Sequence, residues 1–288
     1  MNNYAFSVDL GGTTTNFSVF HSHKIISLWT VQTPKSNVVD MLEYEINSKI
    51  DDLNLKSSDF KAIVLGIASI VKDGIVVEAI NLNMSNIDFG WILQSKVNIK
   101  TIVLNDANLQ AIGESIQYNN LFLVTIGTGI GAGLILNNQL VEGYNGFAGE
   151  IGHIYMDSKT PEENASAGGL VKTAQNYLTS NDNYSRLRNF ETLTAEDIFN
   201  QAQSGDEAAL KIINNVYFNF GKLLAVICSA FNPEILIISG GVSNAGDLLL
   251  NPIKRGFDEV AFVKTEICIS HLKEKAAVCG AMKIVDEL

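Results

Sequence analysis

Apolar positions along the chain fall into short runs, first strand-like and then alternating with helical periods. Tyr4 to Val8 alternates and predicts a strand ending at Asp9, and Asn16 to Phe20 and Lys24 to Val31 predict two more. From Val38 to Ile50 the apolar residues Val38, Met41, Leu42, Tyr44 and Ile46 recur with a helical period. Lys61 to Ile67 is a continuous apolar run, read as a buried strand, with a loop around Lys72-Asp73-Gly74 behind it. Ile102 to Leu104 predicts another strand, which runs through Asn105-Asp106-Ala107-Asn108 into a helix through Ile112 to about Ile116. Leu121 to Ile126 and Leu134 to Leu136 predict strands on either side of a glycine-rich turn, with Asn137-Asn138 as a second turn and Leu140-Val141 as the return.

The second half is more helical. Ser166 to Tyr177 predicts a helix, and Thr194-Ala195-Glu196-Asp197 has the form of a capping box opening another. Asp206 caps a long helix to about Phe231, whose Leu210, Ile213, Val216, Tyr217, Phe220, Leu224 and Ile227 cover most of its faces and assign it to the core. Pro233 stops that helix. Glu234 to Ile238 predicts a strand ending in Ser239-Gly240-Gly241, and the chain closes with a strand from Glu266 to Ser270 and a helix from about Lys275. A length of 288 residues suggests one large domain or about two ordinary ones.

Composition narrows the function more than the fold. Apolar content of 47% against 18% charged residues is ample for buried cores. No apolar run approaches the roughly 20 residues of a membrane span, and no basic-then-apolar leader opens the chain, so a soluble cytoplasmic protein is expected. A net charge of −11 disfavours nonspecific binding to nucleic acid or anionic membranes. A bound nucleotide would need its phosphate charge met locally, by backbone dipoles and a metal ion. Cys228, Cys268 and Cys279 have no metal-ligand spacing and read as buried free thiols.

Candidate chemistry centres on Leu121 to His153, LFLVTIGTGIGAGLILNNQLVEGYNGFAGEIGH. Gly127, Gly129, Gly131 and Gly133 alternate with other residues, so the backbone N–H groups are open to close approach by an anion. The run reads either as a phosphate cradle or as a plain hairpin turn. Gly127, Gly129 and Ala132 also fit a dinucleotide fingerprint, but that motif requires a helix next, and here a strand and an Asn-Asn turn follow. FSVDLGGTTTNFSVF from Phe6 lies over FLVTIGTGIGAGLIL from Phe122, which is either chance or a duplicated core with one anion-binding turn per half. Asp106 stands where a strand meets a helix, as an N-cap, as a carboxylate projected into a cleft, or as both. Gly240-Gly241 is either a turn or a place where a flat ring meets the backbone.

DLGGT at Asp9 to Thr13, NDAN at Asn105 to Asn108 and TIGTGIGAG at Thr125 to Gly133 are joined by three later motifs. These are GYNGFAGEIGH at Gly143 to His153, PEILIISGG at Pro233 to Gly241 and CGA at Cys279 to Ala281. The set, in this order over nearly the whole chain, resembles the ROK family of sugar kinases and related repressors. The resemblance implies an α/β two-domain actin-like ATPase (ribonuclease H-like) fold with the active site in an interdomain cleft. Residues 1–115 with a returning helix at 275–288 would form the smaller domain and 116–274 the larger. It implies an ATP-dependent carbohydrate kinase that phosphorylates a hexose or N-acetylhexosamine, at the 6-hydroxyl, with Asp106 as catalytic base. Asp9, Gly11, Gly12, Thr13, Gly127, Thr128, Gly129, Gly131, Gly240 and Gly241 would bind ATP, with Asp9 holding Mg²⁺ through water. Asn105, Asp106, Glu150, His153 and Glu162 would bind sugar hydroxyls, with Glu163 as an alternative to Glu162 and Asn81 as a further candidate.

The sequence departs from the family pattern in two places. The interval after His153, IYMDSKTP, has no cysteine and is too short for the family's zinc loop, so no structural zinc is expected. His153 then needs another orienting partner, Asp157 or a backbone carbonyl. Ser69-Ile70 stands where the family has Pro-Gly. Alternatives implied by the same resemblance are a β-glucoside kinase and a non-catalytic sugar-sensing regulator. A first strand at about Tyr4 leaves no room for the repressors' helix-turn-helix domain, and the family habit is a homodimer.

Overall fold

The computed structural model describes residues 3–79, 84–155 and 158–288. The first stretch supplies β1 (Tyr4–Leu10), β2 (Thr14–His21), β3 (Lys24–Gln32), α1 (Val38–Asp52), β4 (Phe60–Ile67), β5 (Ile70–Lys72) and β6 (Ile75–Ala79). There follow β7 (Met84–Ile87), α2 (Phe89–Val97), β8 (Thr101–Asn105), α3 (Asp106–Glu114), β9 (Leu121–Ile126), β10 (Ile130–Leu136) and β11 (Gln139–Leu140). The remainder is α4 (Pro161–Ala165), α5 (Ala167–Ser180), α6 (Ala195–Gln203), α7 (Glu207–Phe231), β12 (Ile235–Ser239), α8 (Asp247–Val260), β13 (Glu266–Ile269) and α9 (Ala276–Asp286). Two compact units result. Met1–Gln117, Leu140–Ala148 and Glu274–Leu288 form unit 1, and Tyr118–Gln139 with Gly149–Lys273 form unit 2.

Unit 1 is built on a sheet in the order β3-β2-β1-β4-β8. β1 pairs antiparallel with β2 and parallel with β4, and β4 pairs parallel with β8. Side chains alternate between faces. Phe6, Val8 and Leu10 face one way, packing with Leu42 and Ile46 of α1 and Phe89 and Leu93 of α2. Ala5 and, from β4, Ala62 and Val64 face the other way, packing with Leu109 of α3 and Ala277, Val278 and Ala281 of α9. The helices α3 and α9 cross closely because Gly113 and Gly280 face the partner backbone; a Cβ on either would collide with the carbonyl of Ala276 or Leu109. The glycine of the CGA motif therefore seats the helix that begins at Asp106.

Unit 2 repeats the strand order, as β11-β10-β9-β12-β13. Here too the central strand (β9) has an antiparallel hairpin partner (β10) on one side and a parallel strand (β12) on the other, followed by a second parallel strand. The shared topology supports duplication over chance likeness of two hairpins. By length and composition α7 could cross a membrane, but 61% of its most apolar window is buried inside the fold, which identifies a core helix.

Three predicted features change. The helix expected through Ile112 to Ile116 begins at Asp106 and ends at Glu114, leaving Ile116 exposed. The strand expected from Leu134 starts at Ile130, so Gly131 and Gly133 stand in the ladder opposite Thr125 and Leu123. Of the cysteines, all free, only Cys228 is buried; Cys268 and Cys279 are half-buried. The helices α2 and α8 and the small sheet β5-β6-β7 have no counterpart in the sequence reading.

Candidate active site

Parity along the strands of unit 1 decides where its acidic groups point. Asp9 shares the parity of Ala5, so it faces the side covered by α3 and α9. It lies opposite Gly66 of β4, which in turn lies opposite Leu104 of β8, one row before Asn105. Gly66 has the parity of Ala62 and Val64 and sits beneath the start of α3. A Cβ there would be 3.3 Å from the Asp106 Cα and 3.0 Å from Leu109 Cδ2. Asp9 and Asp106 thus converge at the carboxyl ends of parallel strands, the usual ligand-binding end of such a sheet. Burial, then the neighbouring Asp106 charge, push Asp9 up to about 7, against a hydrogen bond from Asn16. Burial also raises Asp106, opposed by hydrogen bonds from backbone N–H groups, including that of Ala107 at 2.9 Å from Oδ1.

The N-cap of α3 is Asn105. Its φ and ψ of −61° and 143° are extended, and its Oδ1 accepts from the Asn108 N–H at 3.0 Å. This corrects the N-cap reading of Asp106, which is the first helical residue and so is free of capping duty. The Asn105 Nδ2 donates to the Ser69 main-chain carbonyl at 3.0 Å, a bond that does not depend on the side chain at that position. These two bonds use half of what an amide can make. Asn108 is buried and its Oδ1 is without a hydrogen-bond partner among the described residues. The turn from Gly11 to Thr13 is closed by Gly11 N–H to the Thr14 carbonyl at 3.1 Å. Thr33 fastens it, its N–H donating to the Thr13 carbonyl at 2.9 Å and its Oγ1 to the Gly11 carbonyl at 2.8 Å. Gly12 and Thr13 remain exposed.

In unit 2 the glycine turn is Gly127 to Gly129, closed by Gly127 N–H to the Gly129 carbonyl at 2.9 Å. A Cβ on Gly127 would meet nothing within 4 Å, which leaves room for a ligand. Gly129 is different: a Cβ there would lie 2.6 Å from Glu162 Oε2. That oxygen accepts from the Ile130 N–H at 2.9 Å. Gly240, at φ +85°, packs on Ile126, the residue before the turn, and a Cβ would lie 2.5 Å from the Ile126 carbonyl oxygen. Gly241 beside it opens to solvent. Gly152 lies against the Ile130 carbonyl, with 2.5 Å to a hypothetical Cβ, and so lays Glu150 to His153 along the start of β10. His153 Nε2 is 3.7 Å from Glu150 Oε2.

The structure thus gathers Asp9, Asn105 and Asp106 in unit 1. In unit 2 it gathers the Gly127–Gly129 turn, Glu150, His153, Glu162 and Gly240-Gly241. Gly131 is a ladder residue and Thr128 is exposed at the turn. Glu163 is exposed and completes the capping box of α4, its Oε2 accepting from the Thr160 N–H at 2.9 Å; that bond lowers its pKa. Glu162, not Glu163, therefore meets the turn. Asn81 and Asp157 lie outside the described residues, and the neighbour recorded for His153 is Glu150. Gly66, Thr33 and Asn16, the donor to Asp9, escaped the sequence reading. Gly66 carried a signal, an isolated glycine inside an apolar strand marking a close approach. Thr33 carried none.

Among the described residues no three His, Cys, Asp or Glu side chains cluster tightly enough to hold a metal alone. Two nearby carboxylates with raised pKa values nevertheless suit a divalent ion that brings water or phosphate as its other ligands. The open side of Gly127 suits a phosphate.

The sequence profile of the ROK family matches residues 5–287. A glucokinase of Halalkalibacterium halodurans is 30% identical, covering 97% of this chain and 94% of its own. The xylose repressor of Bacillus subtilis is 28% identical, covering 96% of this chain and 72% of the repressor. A ROK family glucokinase from Streptomyces griseus, solved in complex with glucose and AMPPNP, superposes with a TM-score of 0.86 at 25% identity, covering 99% of this chain and 100% of that one. The fold is the actin-like ATPase fold of these sugar kinases.

Proposed function

The chain belongs to the ROK family, and on that premise we propose that it is an ATP-dependent sugar kinase, transferring the γ-phosphate to the 6-hydroxyl of a hexose or N-acetylhexosamine. The observation that carries this reading is the convergence of Asp9 and Asp106 at the carboxyl ends of β1 and β8. Asp106 is the base. Its Oδ1 is held by the Ala107 N–H, which orients the carboxylate that takes the proton of the attacking hydroxyl. Burial makes it a stronger base than an exposed carboxylate, and a positioned base contributes roughly 10²–10⁴-fold.

Asp9 would hold Mg²⁺ through water. When bound, the ion neutralises the phosphate charge that develops in transfer. The turns at Gly11–Thr13 and Gly127–Gly129 offer backbone N–H groups to phosphate oxygens, and the open Gly241 admits the flat adenine ring. Asn105, Glu150, His153 and Glu162 bind and orient the sugar, each able to bridge neighbouring hydroxyls. Glu150 also orients the His153 imidazole, in place of the zinc that the cysteine-free interval after it does not support. The acidic balance favours a small-molecule partner over nucleic acid or a membrane surface, and the cytoplasm is where ATP is supplied. We propose a homodimer from family habit alone.

Similarity to xylose repressors raises a second reading, a sugar sensor without turnover. The two raised carboxylates favour catalysis, because sensing alone gives no reason to keep both. ADP release measured across a panel of sugars tests the choice. Turnover with at least one hexose is expected, and sugar binding without turnover on any member would favour the sensor.

A further inference from the structure

Glu162 does something in this structure that sugar binding does not require. Its Oε2 accepts from the Ile130 N–H at 2.9 Å and fills the space a Cβ on Gly129 would take. The junction between α4 and α5 grips the same turn a second time, through the Ala167 N–H to the Gly127 carbonyl at 2.9 Å. That junction is itself fixed. Ser166 Oγ donates to the Glu162 carbonyl at 2.6 Å and accepts from the Gly169 N–H at 3.1 Å. The fully buried Tyr217 of α7 donates to the Ala165 carbonyl at 3.2 Å. Residues 127–130 are therefore bracketed at both ends by one rigid corner, and the carboxylate is one of the two clasps.

We propose that Glu162 is a positioning residue for the phosphate turn, and that through it sugar and nucleotide bind with positive cooperativity. This rests on the reading of Gly127–Gly129 as the phosphate turn. One carboxylate oxygen fixes Ile130 and the other is available to a sugar hydroxyl. A sugar that immobilises the carboxylate also immobilises the turn, so the nucleotide has less to order when it binds. The coupling is reciprocal.

The test is direct binding of a non-hydrolysable ATP analogue with Mg²⁺, with and without the sugar that supports turnover. Wild type is compared with Glu162→Ala, Glu162→Gln and Gly129→Ala, and melting temperatures are recorded alongside. Glu162→Ala removes a charge-assisted hydrogen bond and is expected to weaken analogue binding roughly 10-fold or more. Glu162→Gln keeps an acceptor for Ile130 and is expected to stay within about 3-fold of wild type for the analogue while losing sugar affinity. Gly129→Ala displaces the carboxylate and is expected to match Glu162→Ala for the analogue, so the conclusion does not depend on one variant's folding. Sugar is expected to tighten analogue binding in wild type and not in Glu162→Ala. Wild-type binding left unchanged by Glu162→Ala, or equal losses in the Ala and Gln variants, would overturn this inference alone. A wild type that binds no analogue would overturn the kinase reading and this inference with it.

Discussion

Asp9 and Asp106 stand on either side of Gly66 at the carboxyl ends of three adjacent parallel strands, and the charge of Asp106 helps push the Asp9 pKa up to about 7. Two desolvated carboxylates side by side weaken a fold unless a cation or a proton joins them. Their persistence together is intelligible as a functional requirement.

That cost has a pH signature. The folded Asp9 holds its proton to about 7, whereas the unfolded chain releases it near the ordinary aspartate value of 3.8. Between these values the folded state binds more protons, so this group's contribution to stability falls as pH rises through the window and is least above it. Asp9→Asn is therefore expected to melt higher than wild type at about pH 8 without Mg²⁺, by roughly 2 kcal/mol, with the gap closing towards about pH 4. Added Mg²⁺ should raise the wild-type midpoint and leave the variant unmoved. Thermal melts at several pH values, with and without the ion, check both statements.

Gly66 keeps Asp106 in place by having no side chain. In Gly66→Ala the new methyl would press on the Asp106 backbone and Leu109. A lowered kcat, roughly 3- to 30-fold, with a small change in sugar KM is expected, because displacement of a base affects the transition state more than the bound substrate. Steady-state kinetics on the purified variant decide it.

Gly240 combines a φ of +85° with contact against the Ile126 backbone. Gly240→Ala is expected to cost at least about 2 kcal/mol in stability, through both a disfavoured backbone conformation and a clash with main chain that cannot swing aside. Gly241→Ala, with open space on its Cβ side, should melt within about 1 kcal/mol of wild type. Comparing denaturant midpoints of the pair isolates the effect.

Local sequence carried the two hairpins, the NDAN junction and the long core helix α7, because each has a strong period or a capping residue of its own. It carried less where an element lacks such a signal. The helix α8 holds Pro252 in its interior and Gly256 at its crossing with α7, both of which argue against a helix locally. The helix α2 is nine residues long and contains Gly90. At the site, motifs located the candidate residues but not their contacts. That Glu162 clasps Ile130 and that Thr33 ties down the first glycine turn depend on tertiary neighbours distant in sequence, whereas the choice of Asn105 over Asp106 as the cap of α3 is local and turns on where the helix starts.

In the proposed reaction Asp106 accepts the proton of a sugar hydroxyl. Coupled ADP release and calorimetric sugar binding, measured together on wild type and Asp106→Asn, decide whether it does. Turnover in the variant is expected to fall by roughly 10²–10⁴-fold while its sugar affinity stays within about 5-fold of wild type. A variant that retains most of its turnover would contradict the account.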